Sequence, residues 1–266
     1  MPELLSAWRG PGDGRPSLPL PPGRMPAWRG GRPLKRWTWV GAFGPELMLC
    51  AAKARIGPAT AAWWAVWDRR SGEFRERSLR RGGGLVVTPS RVLVPGVMEL
   101  AVGDDAEPVE VVSPHGAQYI WTRKRGGVPV EGVVGGRAVS LPGLVDESAG
   151  YHARRTAWLW SAGAGTLASG EPVAWNLVDG VHDAPVRSER TAWVAGRPRE
   201  LAPQVFDGLA GVGGLRFSAE ATRARRENLV LMSSEYEQPF GTFTGTLEDL
   251  ELREGFGVME RHAVRW

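Results

Sequence analysis

The sequence predicts an all-β fold made of two antiparallel β-barrels or half-barrels in tandem, preceded by an extended arm. Three observations predict it. Short strand-like runs separated by Gly, Pro and Asp recur through both halves of the chain. Convincing helical periodicity is rare, and no helix–strand alternation supports a parallel α/β sheet. Each half holds roughly eight such runs, about what a small closed barrel needs to enclose one ligand.

The first element is an arm over residues 1–33, rich in Pro and Gly and without periodicity. Residues 1–36 hold seven Lys/Arg and two Asp/Glu, whereas the chain as a whole carries a net charge of +4. The basic residues stand singly, without a Lys/Arg run or an aromatic stacking array. We therefore expect an extended arm packed on its own domain, dispensable for folding of the remainder, and no specific binding of nucleic acid.

The N-terminal β-domain is predicted over residues 34–142. Turn signals such as Gly44-Pro45, Gly57-Pro58 and Ser71-Gly72 divide it. The predicted strands are Arg36–Val40, Leu47–Arg55, Ala61–Asp68, Phe74–Leu79, Leu85–Thr88, Arg91–Val94, Val97–Val102, Val109–Ser113 and Gln118–Lys124.

The C-terminal β-domain is predicted over residues 143–266, because Pro142-Gly143 is typical of a boundary. One short exposed helix is expected at Ser218–Asn228, where Glu and Arg recur at helical spacing. The predicted strands are Tyr151–Ser161, Val173–Val178, Arg190–Val194, Arg199–Phe206, Leu215–Ser218, Leu229–Ser234, Gly241–Leu247 and Gly255–Arg265.

Composition sets limits on the class of protein. With 42% hydrophobic and 23% charged residues over 266 positions, the chain can bury a core. The single Cys50 excludes an internal disulfide framework and is expected to be a small buried hydrophobe. No run of roughly 18 apolar residues suits a transmembrane helix, and the N-terminus lacks the apolar region of a secretory signal. We expect a cytoplasmic protein, for which peripheral membrane contact and any oligomeric state stay open.

Familiar cofactor and metal motifs are lacking. The glycine runs at residues 82–84 and 211–214 do not open long helices, so they are poor phosphate or dinucleotide sites. No GxSxG elbow or P-loop occurs. The four histidines are dispersed, and no pair has the short spacing of a metal site. We therefore expect no cofactor and no bound metal.

A ligand pocket is indicated by the strand at Tyr151–Ser161 and by the last ten residues. At a period of two, one face of the first strand carries His152, Arg154, Thr156, Trp158 and Trp160. In the terminal strand the same alternation groups Glu260, His262, Val264 and Trp266. Neither a solvated strand nor an ordinary core strand uses tryptophans beside titratable groups, whereas a cavity for a largely apolar ligand does.

Three pairs of titratable residues are candidates for acid/base chemistry: His152 with Asp146, His182 with Asp179, and Glu260 with His262. Each pair has a structural alternative. The first two can simply satisfy turn backbone groups, and the third can be an ion pair that joins strands.

Binding of the ligand itself is assigned to aromatic walls and polar anchors. The walls are Trp158, Trp160 and Trp175, and the anchors are Arg154, Asn176 and Gln238.

Several motifs together resemble a bacterial family of uncharacterised proteins known only as a domain of unknown function. They are "DESAGYHARRTAWLWSAG", "VAWNLVDGVHDAP", "SERTAWV", "QPFGTFTG", "GFGVMERHAVRW", "PLKRWTWVGAFGPELMLC" and "YIWTRK". The resemblance spans about residues 33–266. That family is distantly similar to calycin-like proteins with two lipocalin-type barrels, a group that includes hydroxyneurosporene synthase and AttH-like proteins. The resemblance implies two lipocalin-like barrels and an apolar ligand, and it carries over no catalytic residue.

Three hypotheses from different classes follow. The first is lipocalin-like binding of an apolar small molecule, a lipid or an isoprenoid. The second is a cofactor-independent hydratase, isomerase or cyclase acting on an isoprenoid-like substrate by acid/base catalysis. The third is a structural β-scaffold without a ligand, whose tryptophans fill the core. A large, apolar cavity without a paired titratable group favours the first, a cavity that closes over an aligned acid/base pair favours the second, and an interior filled by tryptophan side chains favours the third.

Overall fold

The structure, a computed structural model, describes residues 6–11, 14–80, 82–229 and 232–266, without the side chains of residues 229 and 232. In this part of the chain every regular element is a β-strand, and none is a helix that could span a bilayer. The strands are β1 (Trp8–Gly10), β2 (Trp28–Arg29), β3 (Arg32–Pro33), β4 (Lys35–Phe43), β5 (Leu47–Ile56), β6 (Ala59–Asp68), β7 (Glu73–Arg80), β8 (Val86–Thr88), β9 (Arg91–Val94), β10 (Met98–Val102), β11 (Val109–His115), β12 (Gln118–Val134), β13 (Arg137–Gly150), β14 (Arg155–Leu167), β15 (Pro172–Asp179), β16 (Thr191–Val194), β17 (Arg197–Glu200), β18 (Phe206–Asp207), β19 (Gly211–Val212), β20 (Leu215–Leu229), β21 (Met232–Leu247) and β22 (Leu250–Arg265).

Two large antiparallel sheets form the fold. The N-terminal sheet has the order β7-β6-β5-β4-β13-β12-β10-β9-β8, with β11 and β1 attached beside β12. The C-terminal sheet has the order β17-β16-β15-β14-β22-β21-β20-β19-β18. Most neighbours are consecutive hairpins, and β4–β13 and β14–β22 join distant strands. The all-β prediction with two curled half-barrels in tandem is confirmed.

The helix expected at Ser218–Asn228 is wrong. These residues lie in β20, which pairs with β21 along its length, for example Arg223 with Gln238. Burial along β20 follows the period of two of a strand rather than a helical period, because Arg223 is buried whereas its neighbours Thr222 and Ala224 are exposed. Pairing with β21 therefore overrides the local pattern.

The change from one sheet to the other lies at residues 151–154 and not at the predicted boundary near residue 142. Pro142 lies inside β13, opposite Pro129 of β12. A proline is tolerated there because its neighbours still complete the ladder, so the Pro-Gly pair marks no linker. The division into two separate domains stays a prediction.

The main hydrophobic core joins the two sheets. It contains Met48 and Leu144 from the N-terminal sheet and Trp160, Phe240 and Val258 from the C-terminal sheet. The edges of the sheets are joined by polar contacts as well. Arg69, which directly follows β6 of the N-terminal sheet, forms a 2.6 Å ion pair with Glu220 of β20 in the C-terminal sheet. A second core on the far face of the C-terminal sheet contains Trp175, Phe243 and Met259.

The arm packs against the N-terminal sheet rather than extending into solvent. Strand β1 pairs with β11, and the buried Leu20 and Met25 join Tyr119 and Tyr151 in a third hydrophobic cluster. Arg9 donates to the backbone oxygen of Ser188 and to the hydroxyl of Thr191, so the arm also contacts the C-terminal half. The arm therefore contributes to the stability of both halves.

Candidate functional site

A cavity of about 710 Å³ lies between the two sheets. The N-terminal sheet supplies one wall and the C-terminal sheet the other. Its exposed lining residues, Pro58, Ala59, Arg80 and Arg225, mark the opening. Ligand pockets of proteins are commonly of this size and combine aromatic walls with a few polar groups. The six tryptophans that line it are Trp37, Trp39, Trp63, Trp158, Trp160 and Trp266.

The C-terminal wall is built by the alternation of three neighbouring strands. In β14 and β22, Trp158 is paired with His262, and Trp160 with Glu260. Tyr236 of β21 is paired with His262 on the other side. Because alternate residues of a strand face one side, all five side chains face the cavity.

The N-terminal wall repeats this arrangement. Asp146 of β13 pairs with Trp39 of β4 on one side and with Lys124 of β12 on the other. Gly41 allows the Trp39 indole to lie flat along its strand, because a Cβ on Gly41 would fall 2.1 Å from that ring. The edge of the Trp39 ring thus meets Trp160 of the opposite wall, with ring centroids 5.0 Å apart.

The six indoles fall into two groups of three by their hydrogen bonds. Three N–H groups are paired with side chains. Trp37 donates to Asp146 at 3.3 Å, Trp158 to Glu260 at 2.8 Å, and Trp160 to Asn176 at 2.7 Å.

The other three indole nitrogens, those of Trp39, Trp63 and Trp266, are buried and have no hydrogen-bond partner in the protein. Each of these rings still contributes apolar surface to the cavity. The three tryptophans with hydrogen-bonded N–H groups therefore orient polar side chains of the walls. The other three offer N–H groups that are free to donate a hydrogen bond.

Glu260 is the carboxyl group best placed for chemistry. Its Oε1 accepts from Trp158, and its Oε2 accepts from Gln238 at 2.8 Å. The Tyr236 hydroxyl lies near it without a hydrogen bond of normal geometry. Burial raises the pKa of Glu260 to about 7, although the hydrogen bond from Trp158 acts in the opposite direction. This carboxyl can hold or release a proton near neutral pH.

A second polar centre surrounds Lys124. Its ammonium lies 2.8 Å from Asp146 and 3.3 Å from Glu189, and all three side chains are buried. Burial opposes the charge of Lys124, but the two carboxylates together raise its pKa. Asn176 donates to the backbone oxygen of Glu189 at 3.0 Å and fixes that loop. Lys124 therefore stays charged and holds the two carboxylates in place.

The histidines of the site are neutral. Burial lowers the pKa of His152 and of His182 well below the usual value, and lowers that of His262 to about 3. His182 Nδ1 lies 2.9 Å from the Ser113 hydroxyl, and His182 also lines a second, open pocket of about 610 Å³. These rings can donate or accept hydrogen bonds, but they are not cations at neutral pH.

The three expected acid/base pairs are not hydrogen-bonded pairs in the structure. Asp146 contacts Lys124 rather than His152, and Asp179 is exposed, away from the cavity lining. Glu260 and His262 both line the cavity, but Trp158 and Gln238 bind the carboxyl, whereas Ser234 contacts His262 at 2.9 Å.

Some of the expected ligand-binding residues line the cavity and others do not. Trp158 and Trp160 line the cavity. Arg154 is exposed and lies outside the lining, because strand β14 begins only at the next residue. Trp175 belongs to the second core and donates to Ser161 at 3.1 Å.

Two of the expected polar anchors, Asn176 and Gln238, lie behind the cavity wall, and each is hydrogen-bonded to a residue that lines the cavity. They orient Trp160 and Glu260, and neither lines the cavity itself.

Several residues of the site escaped the sequence analysis: Trp37, Trp39, Trp63, Lys124, Glu189, Arg223 and Tyr236. A signal existed for the first two, which alternate at a period of two as Trp158 and Trp160 do. Lys124 and Glu189 are distant in sequence from Asp146 and meet it only through strand pairing and a loop. Such contacts have no local sequence signal.

The described residues contain no group of three or more His, Cys, Asp or Glu side chains arranged to hold a metal ion.

Comparison with known sequences supplies a family. Residues 85–266 match the profile of a family described as a domain of unknown function, DUF2804. The match confirms the resemblance that the motifs suggested. None of the curated proteins compared with the chain matches it.

Solved structures with similar folds include the following three proteins. An AttH-like protein (NE1406) from Nitrosomonas europaea is 13% identical, with 92% of this chain and 98% of that chain covered and a TM-score of 0.43. Kievitone hydratase from Nectria haematococca is 10% identical, with coverage of 85% and 88% and a TM-score of 0.39. CghA is 12% identical, with coverage of 98% of both chains and a TM-score of 0.40. At these identities the likeness concerns the fold alone.

Proposed function

We propose that this chain, which belongs to the DUF2804 family, binds an apolar small molecule such as a lipid or an isoprenoid in the cavity between its two sheets. The observation that carries the proposal is a space of about 710 Å³ that six tryptophans line but do not fill. A scaffold whose tryptophans served only as core would leave no such space, because protein interiors are close-packed.

The energetics favour an apolar occupant. Burial of apolar surface contributes about 25 cal/mol per Å², so contact with several indole faces suffices for micromolar affinity after the cost of association. The charged groups of the wall are already compensated within the protein, Lys124 by Asp146 and Glu189. The ligand therefore need not carry a charge.

Native mass spectrometry of the protein purified from its own host tests the proposal. We expect a fraction of the protein to carry one non-covalent mass, which organic solvent extracts and which is apolar in chromatography. A protein that carries no such mass and takes up no apolar molecule on incubation would contradict the proposal.

A second candidate function is a cofactor-independent hydratase, isomerase or cyclase that acts on an isoprenoid-like substrate. The observation that favours it is Glu260, a carboxyl on the cavity wall whose pKa of about 7 suits proton transfer at neutral pH. Trp158 and Gln238 donate to its two oxygens and so hold the carboxyl group in one orientation at the cavity wall.

The variant Glu260→Gln separates the two candidates. Glutamine keeps the volume and most of the hydrogen bonds but cannot transfer a proton. If the protein is an enzyme, the variant still binds the extracted molecule but converts it about 10²–10⁴-fold more slowly. If it only binds, the parent protein returns the molecule chemically unchanged.

A further inference from the structure

We infer that the molecule bound in this cavity carries oxygen atoms that accept hydrogen bonds, and that the indole N–H groups of Trp39, Trp63 and Trp266 recognise them. The inference rests on the proposed function and narrows its ligand. The class is an apolar skeleton with carbonyl, ether or hydroxyl oxygens, rather than a plain hydrocarbon.

Unpaired polar atoms are concentrated around this cavity. Among the described residues, ten buried side-chain nitrogen or oxygen atoms lack a hydrogen-bond partner, and seven belong to residues that line the cavity. A buried polar atom without a partner is costly, so native proteins seldom gather many in one place. The seven residues are Trp39, Trp63, His152, His182, Arg223, Tyr236 and Trp266.

None of these seven groups can act only as an acceptor. The three indole nitrogens can only donate. The Arg223 Nε can only donate as well, but it lies 3.1 Å from a carboxylate oxygen of Glu76 and is therefore compensated by that ion pair. The Tyr236 hydroxyl and the imidazoles can donate or accept. The four carboxyl groups of the lining already accept bonds from other side chains: Asp146, Glu189, Glu227 and Glu260. The partner that complements this wall is therefore an acceptor.

The three free indoles stand at separate points of the wall. Trp39 meets the Trp160 ring edge-on, Trp63 lies beneath the Arg223 guanidinium, and Trp266 lies beneath the ammonium of Lys35. The rings of Trp63 and Trp266 are partly exposed, so a modest rotation can bring each N–H to a ligand oxygen. Their separation favours a ligand with oxygens at more than one position.

Matched pairs of probes test this inference. The rigid pair is 5α-androstane and 5α-androstane-3,17-dione, which share a skeleton and differ in two carbonyl oxygens. The flexible pair is hexadecane and hexadecan-2-one. Affinities come from quenching of tryptophan emission. We expect each ketone to bind more tightly than its hydrocarbon although it is the more soluble in water.

Variants then assign the effect to the indoles. Trp63→Phe and Trp266→Phe remove an N–H and some apolar surface. The lost apolar surface weakens the binding of both probes of a pair, whereas the lost N–H weakens the binding of the ketone alone. The ratio of the ketone affinity to the hydrocarbon affinity therefore isolates the hydrogen bond. We expect at least one variant to lower the preference for the ketone about two- to tenfold. Trp28→Phe is the control, because Trp28 is exposed and does not line the cavity, and it should keep the preference of the parent protein.

The outcomes are distinguishable. If neither pair binds, the proposed function itself is contradicted. If ketone and hydrocarbon bind equally, the cavity is an apolar site and the inference is overturned while the proposed function stands. A preference for ketones that Trp39→Phe, Trp63→Phe and Trp266→Phe all leave unchanged would overturn the assignment to these indoles.

Discussion

The indole nitrogen of Trp158 and the carboxyl of Glu260 are joined by a 2.8 Å hydrogen bond across two neighbouring strands of the cavity wall. The bond fixes the side chain of a buried acid whose pKa is about 7, against an ordinary value of 4.5. Between these two values the folded protein holds a proton that the unfolded chain has released.

The first prediction concerns the pH dependence of stability through Glu260. Because its pKa is raised, its stabilising contribution is fully present below pH 4.5 and is lost as the pH rises through 7. The loss is of the order of 3 kcal/mol, at about 1.4 kcal/mol per pKa unit. Urea unfolding of the parent and of Glu260→Gln from pH 4.5 to 8 measures it.

We expect the free energy of unfolding of the parent to fall by that amount relative to the variant over this range. Glu99→Gln, at an exposed side chain, is the control and should keep the profile of the parent. A difference between parent and Glu260→Gln that is constant with pH would contradict the prediction.

The second prediction concerns His152 and has the opposite sign. Burial holds the pKa of His152 well below 6.5, so the unfolded chain takes up a proton first as the pH falls. The stability that the neutral ring provides is present above pH 6.5 and is lost below it. His152→Gln should therefore lose less stability than the parent between pH 6.5 and 4.5 in the same urea measurement. Parallel curves would show that His152 does not titrate in this way.

The third prediction separates stability from binding in two neighbouring tryptophans. Trp160 is buried, bonded to Asn176 and packed on Trp39, so Trp160→Ala should cost about 3–5 kcal/mol of stability. Trp158 is only half-buried and contacts His262, with ring centroids 4.4 Å apart and the ring planes tilted by 56°. Trp158→Ala should cost clearly less stability and weaken ligand binding. Thermal unfolding and fluorescence titration of both variants check this, and equal losses of stability would refute it.

The fourth prediction reverses an expectation from the sequence. The arm looked dispensable, but Leu20 and Met25 pack against Tyr119 and Tyr151. Removal of residues 1–33 exposes that apolar surface, and each buried side chain of this kind contributes about 1.5–3 kcal/mol. We expect a clear fall in the melting temperature on calorimetry. The milder Arg9→Ala removes the hydrogen bonds to Ser188 and Thr191 and the ion pair with Glu200, and it should lower the melting temperature less. An unchanged melting temperature after truncation would restore the original expectation.

The sequence predicted the fold and one wall of the site because both depend on local alternation. Trp158 and Trp160 share a face with each other, as do Glu260 and His262, whatever the rest of the chain does. The strand that contains Arg223 was misjudged because its charges also fit a helical period, and only pairing with β21 decides between the two.

The rest of the site depends on contacts that a strand pattern does not contain. Lys124 and Asp146 meet because β12 and β13 pair in one register, and a shift of one residue would turn both away from the cavity. Glu189 reaches them from a loop. The sequence could therefore indicate a cavity and its aromatic character, but not which carboxyl would be compensated by a cation.

A binding titration with one apolar fluorescent probe tests whether the space between the two sheets is a ligand site. The parent protein is compared with a variant whose cavity is blocked and with a matched control variant. The probe is N-phenyl-1-naphthylamine. Ala54 lines the cavity and is buried, so Ala54→Trp should fill part of the space. Ala138 is exposed on β13, so Ala138→Trp adds the same side chain outside the cavity.

We expect one saturable site per chain, with micromolar affinity in the parent protein and in Ala138→Trp and at least tenfold weaker binding in Ala54→Trp. Equal binding by all three proteins would place the probe elsewhere, and a parent protein that binds no probe would have no functional cavity. Either result would contradict the claim that the space between the two sheets is a ligand site.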